Sequence, residues 1–215
     1  MKVELEQAAP AEIEARSMEI ILSELGDRKL DPENRSVILR CIHTTADFEY
    51  ADSLAFSPHA VSLGTEALKR GTSIVTDTTM AQAGINKKVL SRFGGRVYNF
   101  IGDPSVAEEA KRRGITRSAV SMERAAALGE PLVYAIGNAP TALIRLYELW
   151  SEKKLPAPAL IIGVPVGFVN VIEAKNLVLT MDCPYIVARG RKGGSNVAAA
   201  VCNALLYAAS ENVRE

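Results

Sequence analysis

From about residue 72 onward, short apolar runs rich in β-branched residues alternate with longer segments of helical periodicity. This alternation constrains the fold more than any other feature of the chain. Strands are expected at residues 73–76, 96–101, 132–136, 159–162 and 185–188, each bounded by Gly, Pro or Asp. Helices are expected between them at 86–93, 104–113, 117–128, 140–152 and 169–177, with a closing helix over 195–209. Such βαβ units imply an α/β fold, with a mainly parallel five-stranded sheet covered by helices on both faces.

The first 70 residues show helical rather than strand periodicity. Residues 10–25 place Ile13, Met18, Ile21, Leu22 and Leu25 on one side, with acidic residues in the first turn and Gly26 as the stop. Asp31-Pro32 makes a cap and first-turn pair for a second helix bearing Val37, Ile38, Cys41 and Ile42. Ser57-Pro58 repeats the device for a third helix ending at Gly71. No repeat, low-complexity tract or linker divides the 215 residues, so residues 1–215 are read as one domain.

Charge narrows the choice of ligand. The 25 basic and 25 acidic residues cancel, which disfavours wholesale electrostatic binding of nucleic acid or of an anionic membrane. An anionic ligand must then be caught by a local cluster of donors. No run approaches the roughly 20 apolar residues of a membrane span, and residues 1–7 lack the apolar stretch of a signal peptide; a cytoplasmic location is expected. Cys41, Cys183 and Cys202 show neither CxxC nor Cys/His ligand spacing, so buried free thiols are expected rather than disulfides or a zinc site. With two histidines and no carboxylate pair at ligand spacing, no protein-held catalytic metal is expected.

In open parallel sheets, ligands collect beyond the carboxyl ends of the strands. The segments that follow the expected strands are polar and Gly-rich: Asp77-Thr78-Thr79, Gly102-Asp103, Gly137-Asn138-Ala-Pro-Thr141, Gly163-Val-Pro-Val-Gly167 and Arg189-Gly-Arg-Lys-Gly-Gly-Ser195. Any one of them could be plain turn chemistry; five at one edge suggest a binding surface. The last joins two Arg and a Lys to a Gly-Gly-Ser turn that opens a helix, which suits carboxylate or phosphate. Neither a Walker loop nor a Gly-x-Gly-x-x-Gly fingerprint occurs, which weakens a nucleotide reading.

The second helix carries a polar stripe, Ser36, Arg40, His43 and Asp47, at spacings that share one helical face. Arg40 could hold an acidic group, Asp47 could orient the imidazole, and His43 could act as acid or base near neutral pH. A hydrogen-bonded surface or core histidine is the competing reading. Nucleophilic catalysis finds little support, because no Gly-x-Ser-x-Gly elbow is present and Cys41 points to another side of the helix.

These residues resemble the precorrin-8X methylmutase family, also called cobalt-precorrin-8 methylmutase. The resemblance covers nearly the whole chain through Glu14-Ala-Arg-Ser17, Arg40-Cys-Ile-His43, Phe56-Ser-Pro58, Thr116-Arg-Ser118, Ala135-Ile-Gly-Asn-Ala-Pro-Thr-Ala-Leu143, Gly163-Val-Pro-Val-Gly-Phe-Val169 and Arg189-Gly-Arg-Lys-Gly-Gly-Ser195. It implies a three-layer α/β/α homodimer whose cleft, shared between subunits, binds a corrinoid tetrapyrrole. The implied reaction moves a methyl group from C11 to C12 of the ring, giving hydrogenobyrinate or, with cobalt inserted, cobyrinate, without a cofactor. By the same resemblance His43 is the catalytic acid, and Ser17 and Arg40 contact substrate beside it. Arg117 and the three Gly-rich loops, represented by Gly137 and Asn138, by Gly163 and Gly167, and by Arg189, Arg191, Gly193, Gly194 and Ser195, line the cleft. Asp77 and Thr78, outside those motifs, are added as substrate contacts.

The residues suit that chemistry. Acetate and propionate arms call for discrete Arg and helix-terminal donors, while the flat faces of the ring call for apolar and small residues. A corrinoid carrier that binds without turnover is the alternative, and a nucleotide enzyme built on the Arg-Lys-Gly-Gly-Ser segment is a third reading.

Overall fold

The computed structural model describes residues 12–210. In chain order the elements are α1 (Ile13–Leu25), α2 (Arg35–Thr45), α3 (Tyr50–Ser53), β1 (Leu54–Phe56), α4 (Ala60–Lys69), β2 (Ile74–Thr76), α5 (Thr79–Gly84), α6 (Lys87–Arg92) and β3 (Val97–Tyr98). They continue with α7 (Pro104–Arg113), α8 (Arg117–Ala126), β4 (Val133–Ile136), α9 (Pro140–Ser151), β5 (Leu160–Gly163), α10 (Val171–Leu179), β6 (Tyr185–Ala188) and α11 (Ser195–Ala209).

The strands form one sheet in the order β1-β6-β5-β4-β2-β3, parallel throughout except for β1, which runs antiparallel to β6. Every residue of β4 and β5 is buried, as unbroken apolar runs covered on both faces must be. The two-residue period of the strand divides them between two cores. Val133 and Ala135 face the layer that contains α1, α2, α4 and α11, while Tyr134 and Ile136 face α8, α9 and α10. The result is an α/β/α sandwich.

Two departures from the sequence reading concern the edge of the sheet. It has six strands rather than five, because Leu54–Phe56, inside the segment read as helical, pairs with Ala188, Val187 and Ile186. Ser57 does not cap a helix: its Oγ accepts the amide of Tyr185, and its own amide donates to the Tyr185 carbonyl. The helix that follows starts at Ala60, after His59 in a left-handed conformation.

Other boundaries shift for local reasons. Asp31 caps a turn instead of α2, accepting from the Glu33 amide and the Asn34 side chain, and α2 begins at Arg35. Two short helices, α3 and α5, were not expected; α5 is opened by Thr78, whose hydroxyl accepts the Ala81 amide. Elements with strong caps match closely. Asp103 accepts the Ser105 amide ahead of Pro104 at the start of α7, and Gly114 in the left-handed region ends that helix. Pro10, where the first helix was expected to begin, lies outside the described residues.

Candidate active site

At the carboxyl ends of β2 and β4, Asp77 is buried and organises the loop after β4. Its Oδ1 accepts the Gly137 amide at 2.9 Å, and its Oδ2 accepts those of Asn138 and Ala139 at 2.8 and 2.7 Å. Burial pushes the Asp77 carboxyl up, against the opposing pull of those three amides. Asp77, expected to contact substrate, is therefore already engaged with backbone. Thr78 caps α5 and its hydroxyl lies 2.8 Å from Ser195 Oγ, joining β2 to the start of α11. Thr78, Arg117, Ser118 and Asn138 line an open pocket of about 540 Å³ whose floor includes Asp77. Arg117 is exposed there at the first turn of α8, whose cap, Thr116, also bonds Thr141.

The three Gly-rich loops pack against one another, and the glycines make this possible. A β-carbon on Gly137 would lie 2.7 Å from Ser195 Cα, and one on Gly193 would lie 2.1 Å from the Val164 carbonyl oxygen. The Gly194 amide donates to Val164 O and the Gly167 amide to Arg191 O. Gly163, the last residue of β5, sits beneath them against Val187 and Leu143. Arg189 and Arg191 remain exposed, Arg191 lying over the Phe168 ring at 5.5 Å. Phe168 and Val169 are 82% and 75% exposed, a large apolar surface for a loop tip. The segment is further tied by Lys175, whose buried ammonium donates to Gly190 O and Lys192 O.

His43 sits elsewhere, on α2, in a pocket of about 360 Å³ with Ser17, Ile20, Ile21, Glu24, Ile42 and Phe48. Its side chain is 32% exposed, and neither ring nitrogen is hydrogen-bonded within the described residues. The Arg40 guanidinium lies one turn away, 5.3 Å over the Tyr207 ring and bonded at 2.7 Å to Glu14 Oε1. The same Glu14 oxygen is 4.0 Å from His43 Nδ1. Partial burial, and then the Arg40 charge, hold the imidazole below its ordinary range.

The expected pairing of Asp47 with His43 is not formed. The left-handed Ala46 ends α2 and throws Asp47 off the helical face; its carboxylate bonds Lys192 at 2.6 Å instead. Glu14, on α1, supplies the carboxylate beside His43. The sequence reading overlooked it in that role, as it overlooked Lys175, because each acts across tertiary distance.

Ser17, Arg40 and His43 are thus brought together, Ser17 donating its hydroxyl to Ile13 O. Asp77, Thr78, Arg117, Gly137, Asn138, Gly163, Gly167, Gly193, Gly194 and Ser195 gather at the sheet edge with Arg189 and Arg191. Ser17 and His43 line one pocket, and Asp77, Thr78, Arg117 and Asn138 line another. Among the described residues no cluster of three potential metal ligands occurs, and no helix is long and apolar enough to cross a membrane. The cysteines are unpaired, with Cys41 and Cys202 buried and Cys183 partly so.

Residues 12–208 match the family model of precorrin-8X methylmutase. The cobalt-precorrin-8 methylmutase of Priestia megaterium is 41% identical over 95% of this chain and 90% of its own length. That of Salmonella typhimurium is 44% identical over 92% and 95%. The precorrin-8X methylmutase of Pseudomonas aeruginosa is 40% identical over 78% and 80%. Among solved structures, the precorrin-8x methyl mutase of Thermus thermophilus superposes with a TM-score of 0.85 at 36% identity, covering 93% of this chain and 98% of that one. A sandwich of this topology, a partly exposed histidine beside an arginine, and matches over nearly the full length have one common explanation: the chain belongs to the precorrin-8X methylmutase family.

Proposed function

We propose that His43 is the general acid of this chain, a methyl-shifting isomerase of cobalamin biosynthesis, and that it drives transfer of the C11 methyl group of precorrin-8X or cobalt-precorrin-8 to C12. The carrying observation is the position of His43, partly exposed in its pocket beside Arg40, with no hydrogen bond on either ring nitrogen among the described residues. The product is hydrogenobyrinate, or cobyrinate when cobalt is in the ring.

The chemistry asks for one proton at one place. Protonating a ring position withdraws electrons from the conjugated system, so the methyl group leaves C11 with its bonding pair and forms its new bond at C12 on the same face. The imidazole then takes the proton back, and the sum is an isomerisation with no net change in electrons or protons. No separate cofactor is required for that balance. An imidazole of lowered pKa gives up its proton readily, while Arg40 and Ser17 are placed to orient a neighbouring carboxylate arm.

The second group of donors belongs to the same reading. Each pocket alone accommodates only part of a tetrapyrrole and its arms. In a homodimer, the sheet-edge pocket with Arg117 and Asn138, together with the exposed Arg189 and Arg191, would complete the cleft over His43, and the exposed Phe168 and Val169 would meet either the ring face or the partner. We place the reaction in the cytoplasm, where the unpaired Cys41, Cys183 and Cys202 are at home.

The decisive experiment is conversion of precorrin-8X, and separately of cobalt-precorrin-8, by the parent chain and by His43→Asn. The variant should lose about 10²–10⁴-fold in turnover while binding product within a few-fold of the parent. Turnover at the parent rate in His43→Asn would overturn the assignment; tight binding with no turnover by either protein would make the chain a corrinoid carrier. Sedimentation velocity should show a dimer, and a monomer active at assay concentration would remove the shared cleft.

A further inference from the structure

Lys175 lies in the middle of α10, between the buried residues Val171, Ala174 and Val178, and is itself 1% exposed. It is the only lysine or arginine among the buried residues described. Its ammonium has no carboxylate partner among the described residues. It donates to two main-chain oxygens, Gly190 O at 2.9 Å and Lys192 O at 2.8 Å. Desolvation pulls its pKa down to about 8.

A lone buried ammonium is an expensive filler, and methionine would occupy the same space without desolvating a charge. What the ammonium adds is control over the backbone on either side of Arg191. In a trans peptide the carbonyl and the following N–H point in opposite directions. Drawing Gly190 O and Lys192 O inward therefore turns the amides of Arg191 and Gly193 away from Lys175. Neither amide has an acceptor within the described residues, and the Arg191 side chain is exposed. Two outward amides two residues apart, neither spent on a protein acceptor among the described residues, leave donors for an anion beside the arginine side chains.

We infer that Lys175 is a positioning residue for carboxylate capture, holding the 189–195 segment so that the Arg191 and Gly193 amides and the Arg189 and Arg191 side chains face one acid arm of the macrocycle together. The inference rests on the proposed corrinoid substrate for the identity of the anion, but not for the clamp itself.

Lys175→Met keeps the length and bulk of the side chain and removes its donors. It should leave the melting temperature at or above that of the parent. Hydrogen exchange of the Gly167 and Gly194 amides, which tie the segment to its neighbours, should accelerate at least tenfold at neutral pH. The dissociation constant of cobyrinic acid should rise at least tenfold, while single-turnover conversion at saturating substrate stays within threefold. Lys175→Arg, which restores donors, should recover part of the affinity. Unchanged exchange and affinity in Lys175→Met would overturn the inference. So would binding that falls only in step with the melting temperature and is not repaired by Lys175→Arg. If the parent fails to bind cobyrinic acid, the proposed substrate is wrong, and the exchange comparison alone decides whether Lys175 clamps the segment.

Discussion

The Arg40 guanidinium bonds Glu14, 26 positions earlier in the chain, at 2.7 Å, and this pair sets the charge beside His43. Arg40 opposes protonation of the imidazole, and Glu14 partly neutralises Arg40. Glu14→Gln should therefore lower the His43 pKa further, and Arg40→Ala should raise it. Titration of the histidine ring protons by NMR reads both directly, since the chain has only one other histidine, His59. Shifts of the opposite sign would show that Glu14 and Arg40 do not act on His43 as a charge pair.

The same arrangement predicts a pH profile. If the imidazolium is the acid, kcat/KM falls as pH rises through the pKa of free His43, which lies below the ordinary 6.5. A substrate carboxylate on Arg40 offsets the charge that depresses that pKa. The descending limb of kcat should accordingly sit at higher pH than that of kcat/KM. Initial rates across pH 5–8, at low and at saturating substrate, test the order of the two limbs.

Asp77→Asn should destabilise the fold by about 2–4 kcal/mol. The amide side chain offers one acceptor oxygen where the carboxylate offers two to three backbone amides, and it sets an NH₂ group against N–H donors in a buried place. Urea unfolding gives the difference, with an unchanged midpoint as the contrary result.

Glycine substitutions should divide by what a β-carbon would meet. Gly137→Ala and Gly193→Ala drive a methyl group into backbone at 2.7 and 2.1 Å, the latter at a φ of +158°; each should cost at least about 2 kcal/mol. Gly102, also on the rim of the sheet-edge pocket, has open space around it, so Gly102→Ala should melt within a degree or two of the parent. Equal melting of all three variants would mean that the loops move apart more easily than their contacts suggest.

Legibility followed the range of the interaction that decides each feature. Tyr185–Ala188, Pro104–Arg113 and Ser195–Ala209 were expected with the boundaries they have, because their periodicity, caps and stops lie within a few residues. Leu54–Phe56 was read as part of a helical segment, since three residues carry no period of their own and their strand conformation comes from pairing with β6. Asp47 was expected beside His43 because helical spacing assumes that the helix continues, and the left-handed Ala46 stops it. Glu14 and Lys175 left no local trace of their roles: an ordinary acidic residue on α1 and an ordinary lysine on α10 acquire them from partners 26 and at least 15 positions away. Arg189, Arg191 and the Gly-rich loops were found from the general rule about strand ends, which needs no knowledge of pairwise contacts, whereas Arg117 came from the family resemblance. The strand-end rule does not say that the histidine and the sheet edge line different pockets.

Helix α11 touches both groups, with Ser195 against Thr78 at its first turn and Tyr207 beneath Arg40 near its last. It therefore acts as a ruler of about 18 Å between those two residues, at about 1.5 Å per residue. Its length fixes the spacing between the Ser195 end of the sheet-edge group and the Arg40 side of the His43 pocket, and one inserted residue would swing Tyr207 about 100° away from Arg40.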